Sequence, residues 1–249
     1  MAIVNADDLN SYIQAASSDS LMAARVDLRQ DLFDLAIQQK GYRIIWEQGM
    51  FCSCLTRESG QPNYNCPSCG GKGYVYFNPK EIRAVVTSIS GYKEQTQIGL
   101  NEMGTAYLTP RSSDKIGFRD RFTFLDFTIK YSEVIRHSGT GRDKLGYPAK
   151  SVLMVRVLNQ EYVQGTDFTI SDDGWYIEWI NSPLYQDSTY SILYIMNPVY
   201  IAMGPIHELR GTYNLRKGQG MEVFVKLPDQ YQIKREDFLD EGIYNPYSG

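Results

Sequence analysis

The spacing of hydrophobic positions changes once, early in the chain. Up to residue 41 they recur at helical intervals; beyond it they alternate, or gather in short runs broken by Gly, Pro, Asn and Asp. A first helical pattern starts near Asn5, with Asp7 and Asp8 suited to a helix N-terminus, and runs to about Ala16. Ser17 to Ser20 reads as a link. A second pattern begins at Asp27, where Leu28, Leu32 and Leu35 share helical spacing with Phe33, Ala36 and Ile37. Gly41, directly after Lys40, is the expected left-handed cap.

Strand patterns follow. Tyr42 to Met50 reads as one strand and Gly73 to Asn78 as its return partner, with every cysteine of the chain between them. From Glu81 to Leu227 almost every segment reads as strand and turn, including a long run from Arg121 to Ile135 and a shorter one from Val152 to Leu158. The clearest hairpin lies between Thr166 and Tyr200. Phe168 and Ile170 alternate, Asp173-Gly174 supplies a turn tolerant of positive φ, and Trp175, Ile177 and Trp179 alternate back. A slip of one residue would send Trp175 and Trp179 to solvent, so the register is strongly specified. Asn181-Ser182-Pro183 breaks the pattern, and Thr189 to Met196 makes the next strand. Ser138 to Arg142 reads as a mobile loop, lengthened by Asp143 to Tyr147. The polar tail reads as an extended arm. The expected organisation is therefore a helical segment (1–41), a zinc-binding β-hairpin (42–81), a β-rich body (82–227) and a C-terminal arm (228–249). The fold class is mainly β, with a β-sandwich or barrel-like body, a short N-terminal α-helical segment and a zinc-pinned hairpin.

Composition narrows the function. The 249 residues carry 25 basic and 29 acidic side chains, a formal charge of −4, which disfavours a general grip on nucleic acid. Tyrosine is frequent, at 19 residues; strand-rich composition and an assembly surface both account for it. The first residues lack a basic segment leading into an apolar core, so no secretory signal is expected. No apolar stretch approaches the roughly 20 residues that span a bilayer, so no membrane partner is expected. Synthesis in a reducing cytosol favours metal ligation over disulfides for clustered cysteines.

Cys52, Cys54, Cys66 and Cys69 follow the pattern Cys-x-Cys, eleven residues, Cys-x-x-Cys. Four thiolates in a tetrahedron suit zinc, at about 2.3 Å each. Gly70, Gly71 and Gly73 give the backbone freedom that a metal knuckle and its exit strand need, and Pro67 stiffens the turn. One structural zinc per chain is the expectation. A four-thiolate site leaves no open position, so metal catalysis is not expected. Cys66-Pro-Ser-Cys69-Gly-Gly71-Lys-Gly73 resembles one cysteine-rich repeat of the J-protein co-chaperones. The other repeats and the His-Pro-Asp signature are missing, so the resemblance implies a shared knuckle geometry and no chaperone role.

No catalytic motif accompanies the cysteines. His137 and His207 are the only histidines, and His207-Glu208 lacks the second histidine of a His-Glu-x-x-His protease. Neither a Gly-x-Ser-x-Gly elbow nor a phosphate-binding Gly-x-x-x-x-Gly-Lys-Ser/Thr loop occurs. The chain is therefore read as non-enzymatic. Around the cysteines only Arg57 and Lys72 are basic, against Glu58. The richer stretch Arg111, Lys115, Arg119, Arg121, Arg136, Arg142 and Lys144 is interrupted by Asp114, Asp120, Asp126, Glu133 and Asp143, as on a solvated mixed-charge surface.

Three segments of the middle region, about 82 to 227, resemble virion proteins of the tailed-bacteriophage head-to-tail neck. They are Val163-Gln-Gly-Thr-Asp167-Phe168-Thr-Ile170 with Gly174-Trp-Tyr-Ile-Glu-Trp179, then Tyr190-Ser-Ile-Leu-Tyr194-Ile-Met-Asn-Pro198-Val-Tyr200, and Lys115-Ile-Gly117-Phe-Arg-Asp120-Arg-Phe122. The resemblance implies a neck, connector or adaptor protein of the virion, made in the host bacterial cytoplasm. Its partners would be copies of itself in a ring around the DNA exit channel and other neck, portal or tail proteins, with passing contact to DNA. The alternatives are a zinc-ribbon nucleic-acid-binding or assembly-accessory protein, and a baseplate or tail component.

Overall fold

The computed structural model describes residues 30–56, 59–88, 104–180, 184–207, 211–215 and 222–239. One helix is among them, α1 (Gln30–Lys40), where the second helical pattern predicts one. The pattern from Asn5 to Ala16 lies outside the described residues. α1 ends differently from the expectation. Gly41 is not in the left-handed region; its N–H donates to the Ile37 carbonyl at 2.7 Å, an ordinary final helical bond. Glycine is required there by space, because a Cβ would stand 2.4 Å from the Ile37 oxygen and 3.0 Å from the Ala84 nitrogen. The last turn is thereby pressed directly onto a strand. Asp34 then ties α1 to the rest of the chain, accepting from the Ser112 N–H at 2.9 Å and its hydroxyl at 2.5 Å.

Strands β1 (Tyr42–Phe51) and β2 (Tyr74–Ser88) form the expected antiparallel hairpin, from Phe51 opposite Tyr74 to Tyr42 opposite Ala84. Their outer ends carry the cysteine segment. Their inner ends enter a six-stranded closed barrel with β3 (Thr105–Pro110), β4 (Arg121–Phe124), β12 (Val199–His207) and β15 (Gln230–Arg235), in the order β1-β2-β3-β15-β12-β4. Period-two alternation explains the filling: Ile44, Trp46, Ile82, Leu108, Phe122, Phe124 and Ile233 point inward and are buried. Ala84, Ala106 and Ala202 join them, small residues that let so few strands close around larger neighbours.

Between β4 and β12 the chain leaves the barrel and builds a second unit. Strands β5 (Ile129–Arg136), β6 (Arg142–Lys144), β7 (Ala149–Val157), β8 (Gln160–Tyr162), β9 (Phe168–Ile170), β10 (Tyr176–Trp179) and β11 (Thr189–Met196) form two sheets, β5-β11-β7-β8 and β6-β10-β9. Their inner faces share one apolar core, with Val155, Tyr190, Ile192 and Tyr194 from the first sheet and Phe168, Ile177 and Trp179 from the second. The expected hairpin is present, with Trp179 opposite Phe168 and Ile177 opposite Ile170. Trp175 is only half-buried, under Lys144 at 5.7 Å.

Several sequence boundaries move. The 82–227 body holds two cores rather than one, and β1 and β2 serve both the cysteine hairpin and the barrel. The run from Arg121 to Ile135 is cut into β4 and β5 at the transition between units. The start of the tail is no arm: β15 bridges β3 and β12 and completes the barrel, followed by a 3-10 turn, Glu236–Phe238. Residues 240–249 lie outside the described part. A β13–β14 hairpin (Gly211–Leu215, Glu222–Lys226) connects β12 to β15. No helix among the described residues is long and apolar enough to cross a membrane.

Candidate metal centre

Beyond Phe51 opposite Tyr74, the hairpin continues as a compact loop instead of a ladder. The Cys52 N–H donates to the Gly73 carbonyl at 2.8 Å, closing its base. Two tight turns follow, in which the Leu55 N–H returns to the Cys52 carbonyl at 3.1 Å and the Gly70 N–H to the Cys66 carbonyl at 2.8 Å. Gly70 and Gly71 have φ of 59° and 82°. At Gly71 a Cβ would also press on the Tyr64 backbone at 3.1 Å, so glycine is needed for both shape and space.

These turns aim all four thiols at one point. Cys52, Cys54, Cys66 and Cys69 place their sulfurs within 4.8 Å of one another, with Cys52 to Cys66 at 3.7 Å and Cys54 to Cys69 at 3.5 Å. None is in a disulfide. A tetrahedral ion with four sulfurs at about 2.3 Å requires sulfur–sulfur edges near 3.8 Å, so the spacing fits a single thiolate-bound metal. Cys52, Cys66 and Cys69 are buried, and Val75 packs against the cluster. The backbone N–H groups of Cys69 and Ser68 aim at Cys66 and pull its thiol down to about 6. Burial pushes Cys54 up to about 12. The cluster thus presents a ready thiolate at Cys66 and, at Cys54, a thiol that needs a cation to ionise, donor chemistry that suits a closed metal site.

The loop is tied to the barrel from the far end of the sequence. Lys72 Nζ donates to Glu236 Oε1 at 2.9 Å, joining the loop's exit to the turn after β15. On the outside, Phe51 lies 5.1 Å from the Tyr74 ring, and Met50, Phe51 and Tyr64 remain exposed.

Asp120 and Asp143, expected on a solvated mixed-charge surface, are instead buried and organise the two cores. In the sandwich, Asp143 is 2% exposed and collects four donors. Its Oδ2 meets His137 Nδ1 at 2.8 Å, Trp179 Nε1 at 2.9 Å and the Tyr190 hydroxyl at 3.1 Å, and its Oδ1 accepts the Ser138 N–H at 2.7 Å. Burial is the largest influence and pushes the carboxyl up. The hydrogen bonds, that from His137 foremost, outweigh it and hold the carboxyl below its ordinary value. In the barrel, Asp120 accepts from Trp46 Nε1 at 2.7 Å, the Gly117 N–H at 2.7 Å and the Gly49 N–H at 2.9 Å. The expected mobile loop at Ser138 to Arg142 is a closed turn: Ser138 Oγ donates to the Arg142 carbonyl at 2.9 Å, and Asp143 anchors its start. A signal was available. Asp143, Leu145, Tyr147 and Ala149 share one parity and are all buried, so strand alternation places an aspartate in line with core residues.

His137, at 1% exposure, is a core residue bound to Asp143. Four basic residues of the 111–144 stretch pair with acids: Arg111 with Asp114, Arg121 with Glu47, Arg136 with Asp187 and Arg142 with Glu178. No protein-family model matches this chain, and no curated protein is recognisably similar to it.

Proposed function

We propose that the chain is a non-enzymatic structural protein of a tailed-phage virion, a neck or connector subunit that assembles as a ring and carries one structural zinc. The observation that carries this reading is the convergence of all four cysteines on one closed site at the end of a hairpin that continues straight into the barrel. Four sulfur donors fill a tetrahedral zinc shell, so the ion's role is to hold shape. What it holds is a short projection with exposed Met50, Phe51 and Tyr64, the kind of apolar and aromatic tip that serves as an anchor at protein interfaces. The two-core β body and the resemblance of the middle region to neck proteins support the same reading. Copies of the chain, other neck, portal or tail proteins, and passing contact with DNA are the partners it implies.

Native mass spectrometry with and without a strong chelator tests it. One zinc per chain in a closed ring of identical subunits is the expected result. A zinc-bound monomer that binds duplex DNA with a steep loss of affinity in salt would replace it with the nucleic-acid-binding alternative.

A further inference from the structure

The two sheets of the sandwich differ in what they present outward. Along the four-stranded sheet, every second residue of β11 is buried and the matching set of β5 is half-buried or buried, and the alternate set faces away from the core. Register fixes the rows. Val134, Ser191 and Arg156 stand side by side, then Ser132, Leu193 and Met154, then Lys130, Ile195 and Ser151. A register shift between Leu193 and Tyr194 brings Leu153 out as well. Val134, Leu153 and Met154 are 39%, 46% and 38% exposed in the middle of this face. Lys130, Lys150 and Arg156 are exposed around them, together with Arg136, which pairs with Asp187 at 3.1 Å. Among the strand residues of the face the only acid is Glu161, opposite Arg156. The face has an apolar centre and a basic rim, on a chain whose net charge is −4.

That distribution decides the occupant. Two such faces pressed together across a two-fold axis would set lysines and arginines against each other, which disfavours a symmetric dimer through this sheet. The remainder of the chain is more acidic than its total charge, so another region of a second copy is complementary. The opposite sheet of the same sandwich ends in such a feature, the exposed turn Asp172–Asp173 between β9 and β10. Complementary patches on opposite sides of one unit produce a head-to-tail contact, which closes into a ring when the rotation permits.

We infer that the outer face of the β5-β11-β7-β8 sheet docks a second copy of this chain, receiving the neighbour's acidic Asp172–Asp173 turn. The inference rests on the ring reading and names the contact that builds the ring. The apolar centre supplies contact area, while Lys130, Lys150 and Arg156 set orientation.

The test places a photo-crosslinking residue at Leu153 in the full-length protein, maps the linked peptides by mass spectrometry, and measures mass by light scattering. The expected result is a multimer whose crosslinks join position 153 to the segment around 171–173 of another copy. Met154→Asp and the charge reversal Lys150→Glu with Arg156→Glu should each reduce the multimer at least tenfold, with unchanged circular dichroism and metal content. Multimers that persist in both variants, or crosslinks from position 153 to the same face of another copy, overturn the inference and leave the ring reading standing. A wild-type chain that stays monomeric overturns both.

Discussion

The cysteine cluster and the Asp143 cluster each draw four groups onto one point, from very different distances along the chain. The paired thiols are 14 and 15 residues apart, inside one loop. Asp143 takes its donors from positions 5 and 6 residues before it and from 36 and 47 residues after it, on three different strands or their ends. The first cluster can form as soon as its loop closes around an ion. The second exists only when both sheets of the sandwich have met. A local cluster concentrates its stabilisation in its own loop, whereas a long-range one is inseparable from the cooperative core around it.

Metal removal should have the largest and most local effect. A four-thiolate zinc site contributes on the order of 10 kcal/mol to the folding of its own segment. Chelation, or Cys66→Ser with Cys69→Ser, should therefore remove hydrogen-exchange protection from about residue 52 to 73 while β11 keeps its own. Simultaneous loss of protection in β11 would show that the loop is not an independent unit.

Asp143→Ala should come next, with the reverse pattern. It leaves the Trp179 and Tyr190 donors and the His137 ring unsatisfied in the core and the Ser138 N–H without its acceptor, costing about 3–5 kcal/mol. Denaturant unfolding should show a lower midpoint for the whole sandwich with metal content unchanged. Asp143→Asn retains the shape and part of the hydrogen bonding, and should cost less.

Acid should expose a third difference, because a buried and a half-buried carboxyl of the sandwich titrate in opposite senses. Asp143 is held below its ordinary value, so its contribution is present above the unfolded aspartate pKa and is lost as pH falls through the folded one. Glu133 is raised by burial, although the Gly146 N–H at 2.9 Å and the Tyr194 hydroxyl at 2.8 Å donate to it. Its contribution is complete below the unfolded glutamate pKa and is lost as pH rises through the folded one. Stability measured against pH should therefore lose part of its acid limb in Asp143→Asn. Glu133→Gln should instead gain relative to wild type above the raised glutamate value. Identical pH profiles in the two variants would contradict both assignments.

The smallest effect belongs to the strut between the loop and the barrel. Lys72 is half-exposed, so its ion pair with Glu236 is screened and worth at most about 1 kcal/mol. Lys72→Met should leave the midpoint within that range and the metal content intact, as read by thermal unfolding and metal analysis.

Much of the architecture follows from local pattern. The helix before Gly41, the hairpin that carries the cysteines, the alternation of Ile177 and Trp179, and β11 all stand where side-chain periodicity puts them. The four cysteines are the strongest case, since two short spacings and flexible glycines bring sulfurs together with little help from elsewhere. Position 41 shows the limit of such reasoning. Glycine there suggested a left-handed cap, but the cause is space: a Cβ would meet the helix's own Ile37 carbonyl first and then the backbone of Ala84, a residue far along the chain.

What the sequence determined by itself was therefore the class of most described segments and the one site whose ligands are neighbours in the chain. Periodicity and turn chemistry act over a few residues, and that range is enough for both. Only the tertiary structure decided that β15 closes a barrel, that residues 129–196 leave it to form a sandwich, and that Asp120 and Asp143 each receive a tryptophan N–H in a core. Those outcomes depend on which strands pair and which polar groups lose water together, and both are fixed by contacts between residues distant in sequence.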